Sequence, residues 1–211
     1  MDFLPPEINQ YSETYSVPES ELLKRINHET YQTVLRPRML SGHLQGRFLS
    51  MVSKMIRPRM VLEIGTYTGY SALCLAEGLS PGGKLITLDI NEELEERVRK
   101  YFEESGMDDR LDFRIGDALE IIPALSGPFD LVWIDADKEN YSRYFDLIVD
   151  KVPSGAFILA DNVLWSGKVL EAKPDKDTKA IQAFNDKVKA DHRVENLLLP
   201  LRDGIMMMRK I

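Results

Sequence analysis

The sequence predicts an α/β fold, doubly wound, with a mostly parallel sheet and helices on both faces. Three observations carry that reading. From residue 60 onward, short apolar runs alternate with helical stretches over short connections, the pattern of a parallel sheet covered on both sides. The first run, Met60–Ile64, ends in a glycine-punctuated turn from Gly65 to Gly69 that feeds a helical stretch at Tyr70. Doubly wound domains build nucleotide sites this way. Two closing segments, Val194–Pro200 and Gly204–Lys210, are joined by Leu201-Arg202-Asp203, close enough to a hairpin for an antiparallel pair at the sheet edge.

In chain order, residues 1–17 are polar and proline-containing and read as an extended arm. Ser16–Leu35 reads as a helix. Pro18 suits its first turn, Glu19 and Glu21 suit its positive end, and Leu22, Leu23, Ile26 and Val34 form its apolar stripe. Arg36-Pro37-Arg38 breaks it. Gly42–Ile56 is a second helix, stopped by Pro58. Strands follow at Met60–Ile64, Lys84–Asp89, Leu111–Ile115, Phe129–Ile134 and Ala156–Ala160. Helices between them cover Tyr70–Leu79, Glu92–Ser105, Ala118–Leu125 and Asn140–Lys151, and a last one spans Lys176–Asp191. Asn91 is placed as an N-cap and Gly106 as the residue just past a helix end. No linker or repeat divides the chain. It reads as one unit over 1–211, with a helical cap and arm at 1–57 and a core at 58–211.

The 211 residues carry 27 basic and 34 acidic side chains, a formal charge of −7. That disfavours a general nucleic-acid or anionic-membrane binder, which needs a positive field. No apolar run approaches the roughly 20 residues that span a bilayer, and MDFLPPEINQ lacks the basic and apolar regions of a signal peptide. The single Cys74 excludes an internal disulfide and a cysteine-based metal cluster. The expectation is a cytoplasmic protein.

Chemistry-bearing residues gather at strand ends. Glu63, Gly65, Thr66, Tyr67 and Gly69 surround the first turn. Asp89 closes LITLD, placed to accept hydrogen bonds from two ribose hydroxyls. In Gly116-Asp117-Ala118 a carboxylate and the next amide can read an adenine edge. Each of these also serves as an ordinary turn or cap residue, and three in succession favour a nucleoside. The spacing G-x-x-x-G lacks the third glycine of the dinucleotide fingerprint. Glu63 would repel a pyrophosphate and attract a sulfonium or an amine. The local chemistry therefore prefers S-adenosylmethionine to NAD.

A second set follows the fourth and fifth strands: Asp135-Ala136-Asp137-Lys138 and Asp161-Asn162. Asp135, Asp161 and Asn162 would form an all-oxygen cluster suited to Mg²⁺. The alternative is that the aspartates cap the helices that follow. A divalent cation beside Lys138 would favour its neutral amine and make it a usable base. Trp165, three residues past Asn162, either walls a substrate pocket or packs. His28, His43 and His192 are too scattered to suggest a ligand set.

VLEIGTYTGYSAL, LDIN, GDALEIIPAL, FDLVWIDADKENY and ILADNVLWSGKV resemble the motifs of the cation-dependent O-methyltransferases. That family includes the caffeoyl-CoA O-methyltransferases, many bacterial homologues and, more distantly, catechol O-methyltransferase. The resemblance runs from about Arg38 to Ile211, and DADKENY followed by DNVLWSGKV is its specific part. It implies a Rossmann-like, seven-stranded sheet with an antiparallel last strand, and a homodimer. It implies S-adenosylmethionine held by Glu63, Gly65, Ser71, Asp89 and Ala118, with Asp117 nearby and Met39 and Ser41 touching the cofactor. Asp135, Asp161 and Asn162 match the metal ligands, with Mg²⁺, Mn²⁺ or Ca²⁺ as the ion. Asp137 matches an acidic residue near cofactor or metal, and Lys138 matches the catalytic lysine, beside Asp135. Arg38 and His43 join Trp165 as acceptor-pocket residues. The implied acceptor is a hydroxylated, catechol-like aromatic, methylated after Lys138 removes a hydroxyl proton. Two departures bear on a coenzyme A ester as acceptor: the chain has no room for the plant enzymes' extra loop before the DADK strand, and Leu40, Gly42 and His43 differ upstream of Gln45-Gly46. Three rival readings remain: methylation of a hydroxylated nucleoside in tRNA, with Arg36, Arg38, Arg57 and Arg59 lining an entrance; a non-catalytic cofactor-binding protein; and an NAD-dependent dehydrogenase.

Overall fold

The computed structural model describes residues 5–211. Three helices lead: α1 (Pro6–Thr14), α2 (Glu21–Thr33) and α3 (Gly42–Ile56). Strands and helices then alternate through β1 (Met60–Ile64), α4 (Tyr70–Ala76), β2 (Lys84–Asp89), α5 (Glu95–Ser105), β3 (Leu111–Ile115), α6 (Ala118–Ala124), β4 (Leu131–Ile134), α7 (Tyr141–Ile148) and β5 (Phe157–Ala160). The chain closes with α8 (Lys176–Ala190), β6 (Val194–Leu199) and β7 (Ile205–Lys210).

The seven strands form one sheet in the order β3-β2-β1-β4-β5-β7-β6. β1 to β5 pair in parallel, and β7 runs antiparallel to both β5 and β6. The closing hairpin thus sits at the edge as expected, with its second strand inserted between β5 and β6. The strand order reverses between β1 and β4, and a crevice opens at such a switch point beyond the strands' carboxyl ends.

Alternate side chains of each strand feed two cores. Leu62, Ile64, Val132, Ile134 and Ile158 pack under α6, α7 and α8. Val61, Leu85, Leu131, Trp133 and Leu159 pack under the layer holding α2 to α5. Because β1, β4 and β5 are covered on both faces, their runs are apolar throughout. Trp133 and Cys74 are fully buried core residues, and Met206 and Met208 face inward from β7.

Several boundaries differ from the sequence expectation. Residues 6–14, expected as extended, form α1, opened by Pro6 in the first turn; residues 1–4 of the expected arm lie outside the described residues. α1 buries none of its side chains, so it has no apolar stripe to announce it. α2 starts at Glu21 rather than Ser16 because Ser20 caps it, accepting from the Leu23 amide at 3.2 Å, and Pro18 stays outside. β4 begins at Leu131 rather than Phe129, after a short connection from Ala124 that includes a cis Gly127–Pro128 bond. α7 is shorter than expected, with one tight 3₁₀ turn before it and another after it. Asn91 and Gly106 bracket the β2-to-β3 helical segment as expected, the first capping the Glu93 amide and the second in the left-handed conformation with φ +67°.

The cap layer is fastened to the glycine turn. Thr30 donates to Thr68 at 3.2 Å in a buried contact, and Tyr70 donates to Glu19 at 2.6 Å. The Tyr67 hydroxyl donates to the Leu35 carbonyl at 3.1 Å. The segment carrying Met39 and Ser41 is thereby laid beside the turn.

Candidate active site

The site grows from the turn after β1. Gly65 has φ +101°, and a Cβ there would fall 2.1 Å from the Asp135 carbonyl oxygen. Gly69 has φ +80°, and a Cβ there would press on the Phe102 ring. Only glycine meets both demands at these positions. The turn is braced by Asp89, whose Oδ2 accepts from the Tyr67 amide at 2.6 Å while Oδ1 accepts from the Asn91 amide at 2.9 Å. Tyr67 itself holds φ +50°.

Glu63 is completely buried at the end of β1. Its Oε2 accepts from the Thr87 hydroxyl, and Thr87 in turn contacts Thr66. Its Oε1 has no hydrogen-bond partner. Burial pushes the Glu63 carboxyl up to about 8, against the pull of the Ser71 and Thr87 hydroxyls, and the Asp135 and Asp89 charges add to the rise. A buried carboxylate oxygen without a donor is costly unless something supplies one. An amine at this point would donate one, and a sulfonium, which has no hydrogen to donate, would favour the ionised carboxylate by its charge, so the chemistry of the turn fits a cationic nucleoside. Ser71 and Ala118 are buried close to the same strand ends. Asp117 caps α6, its Oδ1 accepting from the Leu119 amide at 2.8 Å. Met39 is half exposed and Ser41 is buried.

The other half stands at the ends of β4 and β5. Backbone bonds continue the sheet into it: the Asp135 amide donates to the Ile64 carbonyl at 2.8 Å and the Asp161 amide to the Ile134 carbonyl at 2.9 Å. Lys138 Nζ lies 3.0 Å from Asp135 Oδ1 and donates to the Tyr141 hydroxyl at 2.7 Å. It also sits 4.8 Å from the Tyr141 ring centre and 6.0 Å from that of Trp165. Asp161 is buried, with Oδ1 accepting from the Asn162 amide and Oδ2 from Gln45 Nε2 at 2.6 Å. Burial and the facing Asp135 charge raise Asp161 well above the usual carboxylate range, against the pull of Lys138, Gln45 and Arg202. Two carboxylates that repel each other fit a hard divalent cation. Among the described residues no three His, Cys, Asp or Glu side chains come together in a group that could hold a metal ion, and Asn162 follows Asp161 directly in the chain.

Asp137 accepts from Asn140 Nδ2 at 2.6 Å and from the Tyr144 hydroxyl, bonds that tie it to the start of α7. A ring nitrogen of His43 lies 2.7 Å from the Val17 carbonyl, and Arg38 is exposed. Arg57 and Arg59 lie past the far end of α3, at the start of β1, and do not line an entrance with Arg36 and Arg38. Trp165 does reach the site. It sits in a tight segment where Trp165, Ser166 and Gly167 all have positive φ, held by Asp203, which accepts from the Ser166 amide. Gln45, Thr87, Tyr141 and Arg202 were not singled out by residue pattern: Gln45 and Arg202 reach the site from elements remote in sequence, while Thr87 and Tyr141 stand close to Asp89 and Lys138 but read as ordinary strand and helix residues.

Fold and site together define an S-adenosylmethionine-dependent methyltransferase. The profile of the O-methyltransferase family matches residues 13–211, and the chain belongs to that family. It is 37% identical over 180 residues to caffeoyl-CoA O-methyltransferase 1 of Eucalyptus globulus, covering 79% of this chain and 73% of that one. The caffeoyl-CoA O-methyltransferase of Petroselinum crispum is also 37% identical, over 79% of this chain and 75% of its own. Among solved structures, the O-methyltransferase from Bacillus cereus in complex with SAH superposes with a TM-score of 0.89 at 31% identity, over 97% of each chain. An O-methyltransferase from Streptomyces achromogenes involved in tomaymycin synthesis, in complex with SAM, gives 0.88 at 26% identity over 97% and 96% of the two chains. The enzyme therefore transfers a methyl group from S-adenosylmethionine to an oxygen. That sets aside the dehydrogenase reading, in keeping with the G-x-x-x-G spacing. No helix among the described residues is long and apolar enough to cross a membrane.

Proposed function

We propose that the acceptor is a small aromatic with vicinal hydroxyls, and that a divalent cation serves the reaction. Asp135, Asp161 and Asn162 would hold the cation, Mg²⁺ with Mn²⁺ or Ca²⁺ as substitutes. The observation that carries this reading is the meeting of Lys138 with Asp135 at 3.0 Å, beside the buried Asp161. A pure donor-binding site needs none of the three. When bound, the cation would polarise acceptor oxygens and make a hydroxyl easier to deprotonate.

The remaining chemistry belongs to the chain's own side chains. Lys138, in the neutral amine form that a divalent cation beside it would favour, receives the acceptor's hydroxyl proton at Nζ, and Asp135 and Tyr141 hold that nitrogen in place. Trp165 gives a flat wall near the same nitrogen, which suits an aromatic ring. Glu63 and Asp89 fix the donor from the opposite side of the crevice, so the rate gain comes mainly from positioning. The relatives named for caffeoyl-CoA support an aromatic acceptor. The reading extends to a cytoplasmic homodimer acting as one unit over residues 1–211, with a nucleic-acid partner disfavoured by the −7 charge and tRNA kept as the alternative acceptor.

The test is methyl transfer from labelled donor to a catechol panel and to undermodified tRNA, each with and without Mg²⁺. Cation-dependent labelling of catechols is the expected result. Labelling of tRNA alone, or full activity in EDTA, overturns the proposal.

A further inference from the structure

Gln45 and Arg202 come from elements with no obvious share in the chemistry. Gln45 closes the first turn of α3 and is 1% exposed. Arg202 is in the turn between β6 and β7, with φ +49°. They meet at Asp161. Gln45 donates from Nε2 to Asp161 Oδ2 at 2.6 Å, and its Oε1 accepts from Arg202 Nη1 at 2.8 Å. The same Nη1 donates to the Leu40 carbonyl at 3.1 Å.

A glutamine amide has two ends that differ by half a turn about one bond. Alone, it could offer Asp161 either its NH₂ or its oxygen, and the second would set two acceptors against each other. Arg202 removes that freedom. A guanidinium only donates, so the amide edge facing it must be the oxygen, and the NH₂ must face Asp161. One Asp161 oxygen is thereby held by Gln45 and the other by the Asn162 amide. The carboxylate plane is fixed from two sides, and each oxygen keeps a lone pair for a further partner.

We propose that Gln45 is a positioning residue for Asp161, oriented by Arg202, and that the pair sets the cation affinity of the site. This rests on the reading of Asp135, Asp161 and Asn162 as cation ligands. The arrangement also links the two halves of the site. Arg202 grips Leu40, between Met39 and Ser41 on the donor side, and through Gln45 it grips the carboxylate on the cation side.

The experiment measures Mn²⁺ binding to the purified full chain by electron paramagnetic resonance, with no donor or acceptor present, next to the melting temperature of each metal-free variant. Gln45→Met keeps the volume and removes the amide; Arg202→Met removes the donor that orients it. Each should weaken Mn²⁺ binding by about 10- to 100-fold, the usual cost of losing a group that orients a ligand. The double variant should be no weaker than the worse single one, because both break one relay. Arg202→Lys should recover most of the loss, since it still donates. Folded single variants that bind Mn²⁺ like the parent chain overturn the inference and leave the cation site standing. Multiplying losses in the double variant also overturn it. A parent chain that fails to bind Mn²⁺, or an Asp161→Asn variant that binds it as well as the parent, overturns the cation reading and the inference together. Where Gln45→Met does not fold, Arg202→Met set against Arg202→Lys decides.

Discussion

Gly65 and Asp135 stand back to back across the point where the strand order reverses. A Cβ on Gly65 would lie 2.1 Å from the Asp135 carbonyl oxygen. The donor turn and the strand end that carries the acceptor chemistry are therefore packed as tightly as backbone allows.

Gly65→Ala is expected to damage both halves at once. The backbone holds φ +101°, and the added methyl meets backbone rather than a yielding side chain. The cost should be at least about 2 kcal/mol. That corresponds to a fall in melting temperature of about 4–8 °C for a chain of this size. Calorimetry of the purified variant checks it, and donor affinity should fall in parallel.

Lys138→Ala is expected to cut turnover by about 10²- to 10⁴-fold, the range for loss of a general base. Donor affinity should barely change, because Glu63 and Asp89 stand on other strands. Turnover from labelled donor and titration calorimetry with S-adenosylhomocysteine separate the two. Turnover close to the parent value would remove Lys138 from the mechanism.

Glu63 gives a pH dependence with a definite sign. Its carboxyl is pushed from a usual 4.5 up to about 8 by burial, so the donor-free folded state holds a proton that the unfolded chain has released. The stability this provides is complete below about 4.5 and is lost as pH rises toward 8. Glu63→Gln, neutral throughout, should lose less stability over that window, as denaturant titrations at pH 5 and pH 8.5 would show. Donor binding to the parent chain should tighten across the same interval, since the cationic donor favours the ionised carboxylate.

Glu77 behaves in the opposite sense. Burial alone would raise it, but Arg47, Lys54 and Ser50 outweigh burial and hold it at about 2. The contribution is present above the usual 4.5 and is lost as pH falls toward 2. Glu77→Gln should cost about 1–3 kcal/mol at pH 7, and the gap from the parent chain should close in acid. A gap that persists at pH 2 would mean that packing between α3 and α4, not charge, supplies the stability.

Much of this was legible in the residues because it is local. A strand, its glycine turn and the acid at its end are neighbours in sequence, so Glu63, Asp89, Asp135 and Asp161 could be placed at strand ends by pattern alone. Lys138 was legible for the same reason, three residues from Asp135. The Gln45–Asp161 bond spans 116 positions and the Arg202–Gln45 bond 157, and neither follows any period. Such contacts depend on strand order and on where the edge hairpin folds back. α1 was missed for a different reason: it buries nothing, so no apolar stripe marks it. The bond between the His43 ring and the Val17 carbonyl, 26 positions apart, follows no pattern either.

The segment bearing Trp165 has a consequence for how the enzyme could diversify. Ser166 is pinned to the Asp203 side chain, and Val163 and Leu164 just before the left-handed residues donate to the Gly204 and Asp203 carbonyls, in the turn between β6 and β7 and not in the glycine turn. Substitutions there can reshape what the crevice admits while the methyl donor's berth stays intact. One scaffold could in this way be retuned to new acceptors by exchanging a few residues at its rim.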